Sequence, residues 1–411
     1  MTNTSLLYKL SSQDAWEEFL AHRLMKGRFT WRGFDEADTY VEEEAYRPVA
    51  ERFAAGEGPD IPEKKVVNKM GTGKKRVVYS FAPGEMTVLK MLSHLLYKYD
   101  GLFAKGCYAF RRGIRASDAI FHIRKALRGR PPMWAYKLDI HDYFNSISIP
   151  VLLPILKDIL ADDPPLYGFF ERMLTDGRAR CKGETIRENR GVMAGTPTAP
   201  FLADVYLMEV DHYFADAGVL YARYSDDIIL FAPDRETLEG YRKTLLGFLK
   251  KYRLTVNPDK ERLFTPDEGF EFLGFKCRGN AVDIAESTRR KMKLRIRRTA
   301  RSLHRWRCAK GLAPEQAVKA MIRIFNEKFF GDGDSRTLSW SRWFFPVITR
   351  ADGLRDIDRY LQQYLRYLST GRHTKTNYRL RYPTLKSLGY RSLVHEFYRE
   401  SFPLDGCGRL G

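Results

Sequence analysis

Two acidic sites in the middle of the sequence contain carboxylates of the kind that bind hard cations. Asp226 and Asp227 separate two short apolar segments, 219–224 and 228–231, which predicts a hairpin with both carboxylates at its tip. Asp139 ends another apolar segment, which begins at Trp134 and predicts a strand. Either site alone is also typical of a polar turn or a strand cap.

Two strand-end acidic sites in one sheet can converge on a pair of Mg²⁺ ions, which favour a few carboxylates together with substrate phosphates. Two such ions, about 3.5–4 Å apart, stabilise both the attacking and the leaving oxygen of phosphoryl transfer. The turn at 190–200 lies between the two acidic sites and is rich in glycine and small residues, which allow close approach of backbone N–H groups to a ligand. This combination predicts the chemistry of nucleotide polymerisation.

The composition favours a polyanionic partner and argues against a membrane protein. The 411 residues carry 70 Lys and Arg against 51 Asp and Glu, a formal net charge of +19. Such a surplus on a chain with 44% hydrophobic residues indicates a folded protein that binds nucleic acid. No segment approaches the roughly 18 consecutive apolar residues of a spanning helix. No signal peptide is recognised, and five widely spaced cysteines without a CxxC pair suit a reducing cytosol, so we expect a cytoplasmic protein.

The hydrophobic pattern predicts strands interleaved with helices, and therefore an α+β fold. Predicted strands cover 77–81, 134–140, 219–224, 228–231 and 271–277, and predicted helices cover 85–99, 150–161, 198–215, 235–252, 288–310, 314–328, 357–368 and 388–399. The first 60 or so residues are predicted to be mostly helical. No strand is predicted after Ser287, so we place a domain boundary near Ala285.

Six segments, in this order, resemble the sequence blocks of reverse transcriptases of the bacterial retroelement type. They are residues 108–113 with 118–119, 137–144, 194–207, 224–227, 254–260 and 272–275. The resemblance covers about residues 65–280. It implies a right-hand polymerase, with fingers and a palm built from an antiparallel sheet plus helices, and with an all-helical thumb. The implied domains are an N-terminal helical extension at 1–64, fingers at 65–132, a palm at 133–285 with a fingers insertion around 150–190, and a basic thumb and C-terminal region at 286–411.

The same resemblance implies roles for individual residues. Asp139, Asp226 and Asp227, with the backbone carbonyl of Ile140, would bind two Mg²⁺ ions, for which Mn²⁺ could substitute. Lys260 would lie near the leaving pyrophosphate, and Phe144 would pack under the sugar and exclude a 2′-hydroxyl. The remaining implied contacts to the nucleotide are Arg76, Lys74, Arg111, Ala194 and Gly195, and those to the primer are Phe272 and Gly274. For Phe144 ordinary core packing, and for the basic residues a solvated surface, remain open alternatives.

The segment 288–310 is the strongest candidate for binding a phosphate backbone. It holds eleven Lys and Arg and no Asp or Glu, so nothing within it relieves the charge repulsion. We assign the backbone contacts to Arg290, Arg295, Arg297, Arg298 and Arg301. Leu294, Ala300, Leu303 and Trp306 could form its apolar stripe. A second basic run, 366–381, is interleaved with aromatic residues that could stack on bases.

The sequence also departs from the reverse transcriptase pattern. Ala194-Gly195 stands where the family usually has Gln-Gly, the retron VTG segment is absent, and no endonuclease or RNase H sequence is recognised. The chain therefore resembles the abortive-infection and unknown-group enzymes, many of which act in antiviral defence. We expect an RNA template, in particular a structured non-coding RNA, with dNTPs as substrates and cDNA as product; a homo-oligomer is allowed.

Three alternatives remain. One is an RNA-binding scaffold or maturase-like protein that keeps the fold without catalysis, and another is the reverse transcriptase of a diversity-generating retroelement. An RNA-dependent RNA polymerase is the third, although Phe144 and the Tyr224–Asp227 box argue against it.

Overall fold

The computed structural model has an α+β architecture, as predicted, and divides into two compact units, Met1–Glu268 and Gly269–Gly411. It describes residues 5–25, 31–68, 75–188, 191–331 and 339–401. None of the helices in these ranges combines the length and the apolar character that a membrane span requires.

The first unit contains twelve α-helices and eight strands among its described residues. The helices are α1 (Leu6–Lys9), α2 (Gln13–Met25), α3 (Trp31–Glu42), α4 (Arg47–Ala54), α5 (Pro83–Leu95), α6 (Ala116–Leu127), α7 (Tyr143–Ser146), α8 (Ile149–Ile159), α9 (Pro164–Asp176), α10 (Ala199–Tyr206), α11 (Met208–Asp216) and α12 (Arg235–Lys251). The strands are β1 (Glu63–Asn68), β2 (Lys75–Ser80), β3 (Trp134–Asp139), β4 (Arg178–Cys181), β5 (Glu184–Arg187), β6 (Tyr221–Tyr224), β7 (Asp227–Ala232) and β8 (Arg262–Phe264). Short 3-10 helices occur at Leu96–Leu102 and Pro258–Lys260.

The central sheet of the first unit has the strand order β6-β7-β3-β8, and each neighbouring pair is antiparallel. Its strands are apolar enough to be buried: Leu138, Ile228, Ile229 and Leu230 are 0% exposed. Helices α10 and α12 supply further core residues, including Leu202 and Leu249. A rigid, buried sheet of this kind positions the side chains at its strand ends.

A second sheet of the first unit has the order β2-β1-β4-β5. Strands β1, β4 and β5 were not predicted, because they are short, charged and largely exposed. Strand β2 is bonded to the described part of the glycine-rich turn, residues 191–200, since the Tyr79 N–H donates to the Ala194 carbonyl at 2.8 Å. The two features that were predicted separately are therefore in contact.

The second unit combines a small sheet with helices. Its strands are β9 (Phe270–Phe272), β10 (Phe275–Arg278) and β11 (Ala281–Ile284), in the order β11-β10-β9. Its helices are α13 (Glu286–Lys310), α14 (Pro314–Phe330), α15 (Trp340–Phe344), α16 (Asp352–Thr370), α17 (Tyr382–Ser387) and α18 (Leu393–Ser401), with a 3-10 helix at Lys375–Arg379.

The division between the units differs from the predicted boundary near Ala285. The reason is that strand β11 is bonded to the segment that opens α16: the Thr349 N–H donates to the Val282 carbonyl at 2.8 Å, and the Gly353 N–H donates to Asp283 Oδ2 at 3.0 Å. The small sheet therefore belongs with the helices that follow it. The predicted C-terminal region, which begins at residue 286, therefore omits this sheet.

Two predicted elements are interrupted. The strand predicted over 271–277 is a tight hairpin, in which Phe272 pairs with Phe275 and the turn residues Leu273 and Gly274 have φ values of 51° and 86°. A two-residue turn with positive φ at both positions matches the twist of the strands that it joins. The helix predicted over 198–215 is broken at Leu207 into α10 and α11.

Candidate active site

Asp139 and Asp227 occupy directly opposite positions in the central sheet. Strand β3 ends at Asp139, strand β7 begins at Asp227, and the two residues are partners in the antiparallel ladder. Side chains at opposed positions point to the same face, with Cβ atoms about 4.5–5.5 Å apart. The sheet therefore brings together the two acidic sites that were recognised separately in the sequence.

Asp226 lies at the tip of the hairpin formed by β6 and β7. Tyr224 pairs with Asp227, so Ser225 and Asp226 form a two-residue turn. Ser225 has a φ of 60°, a left-handed conformation that favours glycine at this position of a hairpin. The Ile140 N–H donates to the Asp226 carbonyl at 2.9 Å, which ties the tip to the end of β3.

The charges of Asp139 and Asp227 raise the cost of ionising Asp226, and the charge of Lys260 partly offsets it. Burial, followed by the charges of Asp139 and Asp227, raises the pKa of Asp226 to about 6. Lys260 donates to Asp139 Oδ2, and the ammonium of Lys137 lies 3.2 Å from Asp227 Oδ1. Asp139 is 4% exposed. This edge of the sheet is thus a concentration of negative charge that attracts cations.

The donor set fits Mg²⁺, which prefers hard oxygen ligands. Besides the carboxylates, the carbonyl of Ile140 receives no hydrogen bond from the described residues and can accept a cation. Within the same described ranges, no three His, Cys, Asp or Glu side chains form a ready metal cluster. The ammonium groups of Lys137 and Lys260 lie on two of the carboxylates, and the side chain of Lys260 is 43% exposed.

A buried arginine, Arg223, lies beside the hairpin turn and is hydrogen-bonded to it. The sequence analysis did not identify this residue. Arg223, in β6, is 0% exposed and donates to Asp211 Oδ1 at 2.8 Å, to Asp204 Oδ1 at 3.1 Å and to Cys107 Sγ at 3.3 Å. Its guanidinium also reaches the Ser225 carbonyl at 3.4 Å. Burial raises the pKa of Asp204 to about 7. The alternation Tyr-Ala-Arg-Tyr is the only sequence signal, and it does not reveal the partners on α10 and α11.

The described part of the turn, residues 191–200, contacts both Phe144 and the sheet that contains β2. Gly191 has a φ of 89°, and a Cβ there would lie 2.9 Å from the Phe144 carbonyl; the Val192 N–H donates to that carbonyl at 2.9 Å. Gly195, with a φ of 103°, would meet the Tyr79 carbonyl at 3.0 Å if it carried a Cβ. Ala194 is 1% exposed. The geometry gives these residues a packing role; a contact to the nucleotide stays a prediction.

Phe144 is half-buried at the start of the chain that follows β3. Asp142, with a φ of 44°, turns the chain from the end of β3 into the single-turn helix α7, which carries Phe144. An unpredicted neighbour contacts its ring: Phe110, which is 38% exposed, has its ring centroid 6.0 Å away. The two phenylalanines are far apart along the chain, so no local pattern could reveal the pair.

The three basic residues that were predicted to contact the nucleotide differ in their surroundings. Arg76 is exposed on β2 and is available to an anion, whereas Lys74 lies outside the described residues. Arg111 uses its terminal nitrogens on backbone carbonyls, at 2.9 Å from Asp100, 3.1 Å from Ala104 and 3.2 Å from Cys107. This environment assigns Arg111 to holding a loop, and it disfavours the predicted nucleotide contact.

Helix α13 presents a strongly basic surface in the second unit. Of the predicted backbone contacts, Arg290, Arg298 and Arg301 are exposed, and Arg295 and Arg297 are half-exposed. Arg289 and Lys293 instead pair with Asp356 at 3.3 and 2.6 Å. The predicted apolar stripe is partly wrong: Met292, Ile296 and Ala300 are the buried residues, whereas Trp306 is 43% exposed.

Phe272 and Gly274, the predicted primer contacts, have structural roles in the second unit. Phe272 is 0% exposed, so its side chain is not available to a ligand. Gly274 forms the β9–β10 turn, and a Cβ there would lie 3.0 Å from Thr288 Oγ1. Of these two residues, only the backbone is available to a primer, whereas Lys276 and Arg278 of the same hairpin expose their side chains.

The comparison with protein families decides the class of this chain. The family described as reverse transcriptase (RNA-dependent DNA polymerase) matches residues 61–277, more than half of the chain. The chain belongs to the reverse transcriptase family. This reverse transcriptase is an RNA-directed DNA polymerase, a nucleotidyltransferase, and the matched region contains all three aspartates.

Solved structures similar to this reverse transcriptase include telomerases from Candida. Apo telomerase from Candida tropicalis, truncated from its C-terminal domain, has 15% identity and a TM-score of 0.45; the match covers 55% of this chain and 56% of that one. Telomerase from Candida albicans, in complex with a fragment of telomeric RNA, has 14% identity and a TM-score of 0.43, over 85% of this chain and 68% of that one. No curated protein matches the sequence.

Proposed function

We propose that this reverse transcriptase copies RNA into DNA by a two-metal mechanism at Asp139, Asp226 and Asp227. The supporting observation is the direct pairing of Asp139 with Asp227 beside the Asp226 turn. These carboxylates and the Ile140 carbonyl would hold two Mg²⁺ ions, or Mn²⁺ in their place. The ions would supply charge stabilisation to the attacking and leaving oxygens.

The residues around this site have complementary tasks in the proposal. Lys260 leaves Asp139 and neutralises or protonates the leaving pyrophosphate. Arg76 contacts the triphosphate, and Phe144 closes the space that a 2′-hydroxyl would need. The raised pKa of Asp226 supports a cationic ligand at this edge, because a cation relieves the repulsion among the carboxylates.

We further propose that the template is a dedicated, structured non-coding RNA and that the protein acts in antiphage defence. In this proposal the protein acts in the cytoplasm. The proposal is compatible with a homo-oligomer. The exposed arginines of α13 and the basic segment 366–381 offer two surfaces for a phosphate backbone. One RNA that both templates synthesis and wraps these surfaces would use them together.

Primer extension with dNTPs and with NTPs, on an RNA template, tests the activity. Incorporation of dNTPs that depends on Mg²⁺ is expected. Preferential incorporation of NTPs would favour an RNA polymerase, and RNA binding without incorporation would favour a non-catalytic scaffold.

Sequencing of the RNA that co-purifies with the protein tests the template. One dominant structured species is expected, and a random spread of transcripts would contradict the proposal. Replacement of Arg295, Arg297 and Arg298 by Ala should weaken RNA binding and reduce the slope of log K against log salt by about 2. Replacement of Lys319, Arg350 and Arg355, which are exposed and ion-paired to acidic residues, removes the same charge and is the matched control.

A further inference from the structure

Phe110 and Phe144 form an edge-to-face pair at the candidate sugar site. Their ring planes are inclined by 78°, an arrangement that aromatic rings favour over a face-to-face stack. Phe144 is half-buried, and Phe110 remains 38% exposed. The ring of Phe144 therefore has solvent on one side and Phe110 as a wall on another.

The backbone at Phe110 is held in an unfavourable conformation. Its φ of 57° is left-handed, which a bulky residue rarely adopts because its Cβ approaches the following carbonyl. Such strain persists only where the surroundings determine the conformation, and it is common at functional sites. A glycine would adopt this backbone conformation at a lower energetic cost. The presence of phenylalanine at this position therefore indicates a role for its side chain.

The loop that carries Phe110 is anchored to the hairpin of the aspartates. The Tyr108 N–H donates to the Arg223 carbonyl at 2.9 Å, and the Arg223 N–H donates to the Gly106 carbonyl at 2.8 Å. On the other side of Phe110, the Arg111 guanidinium clamps three backbone carbonyls. The backbone at Phe110 is thus tied to the hairpin that carries Asp226, and the ring of Phe110 contacts the ring of Phe144.

We propose that Phe110 is a positioning residue for sugar selection, which holds the Phe144 ring where it excludes a 2′-hydroxyl. The inference rests on the proposed function and on the role of Phe144 within it. Without Phe110, the Phe144 ring can turn toward the vacated side. A ribonucleotide then fits, although Phe144 is still present.

The measurement is the ratio of kcat/KM for a dNTP to kcat/KM for the matching NTP, on a primed RNA template. Phe110→Ala should lower this ratio about ten-fold, mainly through a smaller KM for the NTP, with kcat for the dNTP near wild type. Phe144→Ala should lower it at least as far. Phe121→Ala, which removes an equally exposed ring from α6, should leave the ratio unchanged.

The double variant distinguishes positioning from direct contact. If Phe110 acts through Phe144, adding Phe110→Ala to Phe144→Ala leaves the ratio where Phe144→Ala set it. Effects that multiply would overturn the inference, as would a wild-type ratio in Phe110→Ala or in Phe144→Ala. If the alanine variant does not fold, Phe110→Leu must shift the ratio in the same direction. An unaltered protein that incorporates no dNTP would contradict the proposed function itself.

Discussion

The ammonium group of Lys260 lies on the carboxylate of Asp139, where a metal ion is proposed to bind. Lys260→Ala removes both a competitor of the cation and the proton donor to pyrophosphate. We therefore expect kcat for dNTP incorporation to fall about 10²-fold, while Mg²⁺ binding, followed by calorimetry, is retained or becomes tighter. Lys250→Ala, at an exposed position of α12, is the control. Weaker Mg²⁺ binding by Lys260→Ala would contradict this account.

The aspartates should be required for synthesis and dispensable for RNA binding. Asp226→Ala and Asp139→Ala, and the isosteric Asp226→Asn, are expected to abolish dNTP incorporation, because the carboxylates hold the metals. Binding of RNA, measured by filter retention, should stay near wild type, since basic surfaces supply most of the affinity. Asp216→Ala removes an exposed carboxylate elsewhere and should be active. Near-normal incorporation by Asp226→Ala would disprove the metal assignment.

Gly195 should tolerate a side chain poorly, because a Cβ there would lie only 3.0 Å from the Tyr79 carbonyl oxygen and 3.3 Å from Val78 Cβ. Gly195→Ala should reduce the free energy of unfolding by about 1–3 kcal/mol beyond the cost of its backbone conformation. Gly183→Ala isolates that backbone cost, since Gly183 has a φ of 91° and no atom lies within 4 Å of the place that its Cβ would take. Urea unfolding measures both. Equal losses in the two variants would show that the contact to β2 does not matter.

Loss of the buried arginine should destabilise the first unit strongly. Arg223→Met leaves the carboxylates of Asp204 and Asp211 buried without their partner, which typically costs about 3–5 kcal/mol. Arg355→Met, which breaks an exposed pair with Asp352, should cost at most about 1 kcal/mol. The comparison is made by urea unfolding at pH 7. Similar losses in the two variants would mean that the charges near Arg223 are compensated in another way.

Asp204 should make stability depend on pH. Burial raises its pKa to about 7 in the folded state, whereas an unfolded aspartate titrates near 3.9. The folded state therefore binds more protons between these values, and the contribution of this group to stability falls as the pH rises from about 4 to 7. Asp204→Asn removes this contribution, so the variant should gain stability relative to wild type between pH 5 and pH 8. A constant difference between the two proteins would contradict the assigned pKa.

Local sequence patterns predicted the elements that carry the aspartates, because the strands are apolar and the tip is polar. The pairing of Asp139 with Asp227 required one further assumption, that both belong to one sheet, and the structure confirms it. Strands β1, β4 and β5 could not be predicted, since their charged residues lack apolar alternation. Long-range partners, such as Phe110 for Phe144 or Asp211 for Arg223, leave no periodic signal. They follow from the topology alone.

The loop bonded to Arg223 has a consequence for the behaviour of the protein in concentrated solution. Strand β6 is the last strand on its side of the central sheet, and Cys107 forms a parallel bridge to Arg223 along it. An uncovered outer strand is a template for pairing with a second molecule, which leads to aggregation. The loop covers part of this sheet edge, because its backbone is hydrogen-bonded to β6 at Arg223. The segment that carries Phe110 thereby also protects the central sheet from intermolecular association.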